Sequence, residues 1–270
     1  MRQSPTPEVE AAIVNLTARL IASCEAEVIE RVLEGKQTLR LTRLFSHLLK
    51  PPTGISIVTT NYERLVEIAA EAAGLGVDSG FTGGTFGRLN PKESRMGFCR
   101  EVTTNKTRVQ LRYADRINLS KPHGSLDWYQ HNNEPIRCPF TLSLPRLIIT
   151  PGRNKFRTGY NRPFDSHRER ANRDIDRAAR FLILGYGFND DHLETHLSAR
   201  IRAGAPTLVI THSLSANGEK LLNESPGMTA ITADSASKSG SLVRNKDGAV
   251  PFASADIWDL NNFISEVLEP

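Results

Sequence analysis

Three short stretches of this 270-residue chain gather polar and glycine residues where chemistry could use them. They are Thr59-Thr60-Asn61-Tyr62-Glu63, Lys121-Pro122-His123-Gly124-Ser125 and Gly185-Tyr186-Gly187-Phe188-Asn189-Asp190. Each follows an apolar run that reads as a strand, and open parallel sheets bind ligands just beyond the carboxyl ends of their strands. A histidine placed there exchanges protons near neutral pH. A strand-to-helix turn with two glycines and an Asn-Asp pair attracts phosphate or hydroxyl groups to the helix N-terminus. Each stretch also has a purely structural explanation. Thr60 and Glu63 satisfy the capping-box pattern, a lone histidine after a strand is commonly a hydrogen-bonded surface residue, and Asp191 with Glu194 could simply cap a helix.

The elements that must position these stretches follow from periodicity. From Pro7 to Leu49 apolar residues at Ile13, Leu16, Leu20, Val28, Val32, Leu41, Leu44 and Leu48 predict two or three helices, ended by Pro51-Pro52. A strand is expected over Ile55–Thr59, then a helix over Tyr62–Ala73. The glycine-rich stretch 74–115 predicts a small irregular inserted lobe with a short hairpin. Further strands are expected at Arg116–Ser120, Arg146–Thr150, Arg180–Leu184, Thr207–Thr211 and Met228–Thr232, with helices between several of them. Residues 233–250, rich in Ser, Gly, Lys and Asp, predict a mobile surface loop, and Ile257–Leu268 a closing amphipathic helix that docks Trp258, Leu260, Phe263, Ile264 and Val267. Alternating strands and helices indicate a single α/β domain over 1–270 with a doubly wound, mostly parallel sheet.

Composition narrows the classes. The longest apolar runs fall far short of the ~20 residues of a membrane span. Met1-Arg2-Gln3-Ser4-Pro5 lacks the apolar core of a secretory signal, and Cys24, Cys99 and Cys138 suggest neither a disulfide framework nor a zinc knuckle. A cytoplasmic protein without a bound metal is the expectation. The net charge of +4 suits a phosphate-bearing ligand or incidental nucleic-acid affinity. Basic residues crowd one stretch, at Arg153, Lys155, Arg157, Arg162, Arg168, Arg170, Arg173, Arg177 and Arg180. Asp165, Glu169, Asp174 and Asp176 interleave with them, which predicts a solvated, salt-bridged helix face, with direct nucleic-acid contact there the lesser reading.

Taken in order, TTNYERL at 59–65, KPHGSLDW at 121–128 and FLILGYGFNDDHL at 181–193 resemble the sirtuin-like NAD-consuming domains of prokaryotic antiphage defence. Ile149-Thr150-Pro151 with Lys155 and Ile257-Trp258-Asp259-Leu260 agree more weakly, so the resemblance runs from Leu41 to the end. It implies a Rossmann-like sheet holding NAD+ and cleavage of the nicotinamide–ribose bond, giving nicotinamide and ADP-ribose or a cyclic relative. On this chain it places Asn61 and His123 as the catalytic pair. Thr59, Thr60, Tyr62 and Gly124 become neighbouring NAD+ contacts, and Gly185, Tyr186, Asn189 and Asp190 the adenosine side. The chemistry suits the pair: Asn61 can orient a water or ribose hydroxyl without titrating, and His123 can accept its proton. The resemblance further implies abortive-infection defence within a homo-oligomer or beside a separately encoded ATPase, translocase or nuclease, with nucleic acid reached only via such a partner.

The chain departs from the family pattern twice. Position 63 is Glu rather than the usual Asp. The family's opening strand and Gly-Ala-Gly-x-Ser turn, which cradles the pyrophosphate, have no counterpart before Ile55, so that strand lies upstream of Met1 or is missing. This departure leaves open a non-catalytic module that binds NAD+, ADP-ribose or a protein. Protein deacylation, the other sirtuin chemistry, is disfavoured because the paired Cys-x-x-Cys motifs of its zinc lobe are absent.

Overall fold

A computed structural model describes residues 6–105, 108–149, 161–236 and 239–269. The chain divides into two compact units, residues 1–170 and 171–270.

The first unit opens with α1 (Pro7–Leu33), capped by the Thr6 hydroxyl, which accepts from the Val9 N–H. It ends in a left-handed Gly35 (φ 70°), where the Gly35 and Lys36 amides return to the Val32 and Arg31 carbonyls in a Schellman closure. After α2 (Arg40–His47) come β1 (Ile55–Val58), α3 (Leu65–Ala72) and β2 (Gly76–Asp78). Then follow β3 (Phe81–Thr82), β4 (Gly87–Leu89), α4 (Pro91–Met96), the hairpin β5 (Cys99–Asn105) with β6 (Arg108–Tyr113), and β7 (Arg116–Ser120). β1 and β2 flank β7 in a wholly parallel sheet of order β1-β7-β2. Ile117 and Leu119 of the central strand are fully buried against Leu39, Phe45, Val66, Ala69, Ala70 and Leu75, so helices and sheet share one apolar core.

β8 (Gly124–His131), β9 (Glu134–Arg137) and β10 (Arg146–Ile148) join β3 and β4 in an antiparallel sheet of order β10-β8-β9-β4-β3. The strand expected at Arg146–Thr150 therefore pairs antiparallel with β8 rather than in the parallel sheet; Thr150 lies outside the described residues. α5 (Phe164–Arg177) follows. Glu169, Arg173, Arg177 and the neighbouring Arg180 are solvated as expected, but His167 is buried and Arg170 pairs with the buried Asp78 at 3.1 Å. One face of this charged helix is thus interior. Arg153, Lys155 and Arg157 lie outside the described residues.

The second unit winds β11 (Phe181–Leu184), α6 (Asp191–Arg202), β12 (Thr207–Ile210), α7 (Ala216–Glu224) and β13 (Met228–Ala233), with the three strands parallel and adjacent. The segment expected as a loop instead folds back as a hairpin, β14 (Ser241–Asn245) and β15 (Gly248–Phe252), which extends the sheet antiparallel. Its turn closes because the Asn245 side chain accepts from the Asp247 and Gly248 amides, a local bond that a polar composition alone does not distinguish from a loop. The closing helix is shorter than expected: Asp259 caps α8 (Leu260–Phe263), which widens into a π-helical turn over Ile264–Leu268. Ile257, Leu260, Phe263 and Ile264 are buried, whereas Val267 is exposed.

The fold is α/β and Rossmann-like, with its parallel strands shared between two sheets. No described residue before Ile55 lies in a strand, and no described strand pairs with the outer edge of β1 or of β11.

Candidate active site

In the first unit, parallel pairing sets Val58 opposite Ser120, and the Thr59 amide continues the ladder to the Ser120 carbonyl at 3.0 Å. The stretches bearing Asn61 and His123 therefore leave the same edge of the sheet from adjacent strands. Thr60 does not cap α3. The helix begins three residues beyond the expected Tyr62, at Leu65, and its start is held by Glu25 of α1, whose carboxylate takes the Arg64 amide at 2.6 Å and the guanidinium at 2.5 and 2.8 Å. Freed from capping, Glu63 accepts from the Asn61 Nδ2 at 3.4 Å, and the Asn61 amide N–H bonds Thr59 Oγ1 at 3.2 Å. Asn61 is exposed. His123 is half-buried; its carbonyl accepts from the Ile149 amide at 2.9 Å.

Tyr62 pins these parts together. Its carbonyl takes the Leu126 amide at 3.0 Å and the Ser125 hydroxyl at 3.4 Å, while its phenol donates to the Ile149 carbonyl. Burial pushes that phenol up from its ordinary pKa. Gly124 has φ +90°, and a Cβ there would lie 2.0 Å from the Leu147 carbonyl oxygen. Glycine is needed at this position because the chain's own backbone crosses it. Thr59 and Thr60 are half-buried beside Asn61.

Beneath the two loops sits a charged cluster that spacing alone does not disclose. Lys121 is only 1% exposed; its ammonium donates to the Glu63 carbonyl at 2.5 Å and to Glu67 Oε1 at 2.9 Å. Burial pushes the Glu67 carboxyl up, opposed by the attraction of Lys121. His167 accepts the Lys121 amide proton on Nδ1 at 3.1 Å and packs on Trp128, with ring centroids 4.5 Å apart. Its complete burial, reinforced by Arg170 and Lys121, lowers its pKa to about 3 and keeps it neutral. A sequence signal exists for Lys121, a lysine directly following an apolar strand, but it reads equally as a loop residue.

In the second unit, Gly185 (φ 58°) and Phe188 (φ 53°) turn the chain sharply after β11. A left-handed phenylalanine is strained, and the turn is held by neighbours: the Ser215 hydroxyl donates to the Gly187 carbonyl at 2.5 Å and Asn217 Nδ2 to the Phe188 carbonyl at 2.8 Å. Asn217 also reaches Asn189 Oδ1 at 3.0 Å. The helix cap is Asp190 rather than Asp191, since the Leu193 amide bonds Asp190 Oδ1 at 3.4 Å. Glu194 does not reach back; it accepts from Ser198 at 2.5 Å. The buried Tyr186 hydroxyl lies against the Glu194 side, and neither it nor Glu194 Oε1 completes a well-formed hydrogen bond. Burial raises the Tyr186 pKa further than the nearby carboxylates do. Gly185 and Asn189 are exposed. A separate cavity of about 430 Å³ lies in this unit, lined by His212, Asp234, Arg244 and Trp258 among others; of these the sequence points only to Trp258, as a packing residue.

The model of the SIR2-like domain family matches residues 55–227, well over half of the sequence, and the match starts at the first residue of β1. The chain belongs to the SIR2-like family. The matched SIR2-like region contains Asn61 and His123 in the first unit and the 185–190 turn in the second, so all the candidate residues lie within it. No curated protein matches the sequence. Among the described residues of this SIR2-like chain, no group of His, Cys, Asp or Glu could hold a metal ion, and no helix is long and apolar enough to cross a membrane.

Proposed function

We propose that this SIR2-like chain is an NAD+ glycohydrolase that breaks the bond between nicotinamide and ribose. The observation that carries the reading is the placement of Asn61 and His123 on adjacent loops at the carboxyl edge of one parallel sheet, tied together by Tyr62. Departure of nicotinamide leaves an oxocarbenium-like ribose that needs one oriented nucleophile. Asn61 presents Oδ1, the atom that can accept a hydrogen bond from a water or ribose hydroxyl. His123 takes the proton released as the new C–O bond forms, so NAD+ and water give nicotinamide, ADP-ribose and a proton. A ribose hydroxyl in place of water gives a cyclic product. In the second unit, Gly185, Tyr186, Asn189 and Asp190 are the proposed contacts to the adenosine side, supported by the exposure of Gly185 and Asn189 on a turn held rigid by Ser215 and Asn217.

We assign this activity to antiphage abortive infection in the cytoplasm, within a homo-oligomer or beside a separately encoded ATPase, translocase or nuclease. Self-association is supported by α1. Its Val14, Ala18, Ile21 and Ala22 face Leu126, Ile148 and Tyr62 within the unit. Val9, Ile13, Leu16 and Leu20, spaced 4-3-4 on another face, stand 44 to 67% exposed. An antiparallel copy would set Val9 on Leu20 and Ile13 on Leu16, and would bring Arg19 near Glu8.

A second reading is a non-catalytic binder of NAD+ or ADP-ribose, in which the same fold holds the ligand without turnover. Isothermal titration with NAD+, paired with chromatographic detection of nicotinamide, separates the two. Heat of binding without product supports the binder; product that disappears in Asn61→Ala supports the glycohydrolase.

A further inference from the structure

Lys121 has no contact with solvent that would justify a charge, yet it is built into the floor of the site. Its ammonium spans from the loop of His123, two residues away in sequence, to the Glu63 carbonyl, two residues beyond Asn61. The same Glu63 accepts from Asn61 Nδ2 through Oε1. Glu67 anchors the ammonium from α3 at 2.9 Å, and His167 fixes the Lys121 backbone from α5 at 3.1 Å. Burying an ammonium and a carboxylate is expensive, and apolar residues of similar volume often replace such a pair at no loss of stability. Stability alone therefore gives no reason for a charged pair here. Glu67 Oε2 is buried without a hydrogen-bond partner among the described residues, so Lys121 supplies the main attraction that offsets the burial of this carboxylate.

We propose that Lys121 is a positioning residue: held by Glu67 beneath the sheet edge, it clamps the Asn61 and His123 loops in one fixed relation. The proposal rests on the glycohydrolase reading for its kinetic consequence and on the hydrogen bonds alone for its structural one. The clamp is specific to an ammonium. A methionine fills the same space but cannot donate to the Glu63 carbonyl, so the Asn61 loop loses this tether and keeps those through Thr59 and Tyr62, while the core stays packed. Small displacements of groups around a reacting centre cost rate rather than affinity, on the order of 10- to 100-fold.

The test compares the full chain with Lys121→Met and with the charge-neutral double variant Lys121→Met/Glu67→Leu. The readouts are thermal unfolding, kcat and KM for nicotinamide release from NAD+, and amide hydrogen exchange over 59–64 and 121–126. The single variant, which strands the Glu67 carboxylate, is expected to lose stability. The double variant is expected to regain most of it while kcat stays at least tenfold low with KM little changed, and both loops exchange faster. Recovery of kcat and of loop protection together with stability would overturn the proposal, because Lys121 would then be a core residue only. If the parent chain releases no nicotinamide, the glycohydrolase reading fails, and hydrogen exchange decides the clamp by itself: faster exchange of both loops in the folded double variant upholds it, and unchanged protection overturns it.

Discussion

His167 makes the first unit sensitive to acid, and the size of the effect follows from its surroundings. The imidazole is neutral in the fold because burial and the nearby Arg170 and Lys121 charges lower its pKa from 6.5 to about 3. Unfolded, it takes a proton at its ordinary value. Between those limits the unfolded chain binds more protons than the folded one, so stability is complete above pH 6.5 and falls as the pH drops toward 3. Each tenfold difference in proton affinity between the two states is worth about 1.4 kcal/mol, so this residue alone should remove about 2 kcal/mol by pH 5. His167→Asn keeps an acceptor near the Nδ1 position for the Lys121 amide but cannot titrate. It should be less stable than the parent at pH 7.5, because packing on Trp128 is lost, and should show a flatter decline to pH 5. Urea titrations at several pH values measure this. Trp128 lies 4.5 Å from His167, and the other tryptophan, Trp258, is in the second unit, so a Trp258→Phe background makes fluorescence report the first unit alone. Parallel pH dependences for parent and His167→Asn would show that His167 is not held neutral and would refute the reasoning.

Other expectations follow from the same contacts. Gly124→Ala places a Cβ against the Leu147 oxygen and should cost several kcal/mol, on the order of 3 or more, seen as a lower urea midpoint with both loops disturbed. Glu25→Ala removes the carboxylate that holds the Arg64 amide and guanidinium and should lower stability by about 3 to 5 kcal/mol, measured in the same titrations. Leu16→Glu with Leu20→Glu should convert an oligomer to a monomer in light scattering without lowering the thermal midpoint, since both side chains are two-thirds exposed.

Most of the parallel strands are legible as short runs with apolar residues: Arg116–Ser120 has the ends that its pattern predicts, and β11 and β12 differ from theirs by one residue at an end, whereas the three-residue edge strand β2 falls in the stretch expected as an irregular lobe, too short to show a period. β8 escapes sequence reasoning because Gly124 through Tyr129 are all buried, which erases the alternation that marks an antiparallel strand, and β3 and β4 are too short to show any period. The start of α3 is misplaced by local pattern, which points to Thr60, because its cap comes from Glu25, distant in sequence. The candidate residues Asn61 and His123 are visible as ordered polar stretches after strands. Glu67 and His167 are not, and Lys121, though part of the second stretch, gives no sign of its burial, because their significance lies in partners brought from three elements. The hairpin after β13 is hidden by composition, since Ser, Gly, Lys and Asp serve a turn and a loop alike.

The most direct test of the account is nicotinamide release from NAD+ by the purified chain beside Asn61→Ala and His123→Ala. The account predicts release by the parent and a loss of 100-fold or more, on the order expected for removing a general base or the group that orients the nucleophile, in both variants. Release that survives either substitution, or NAD+ binding with no release even when an oligomer or partner is supplied, would contradict it.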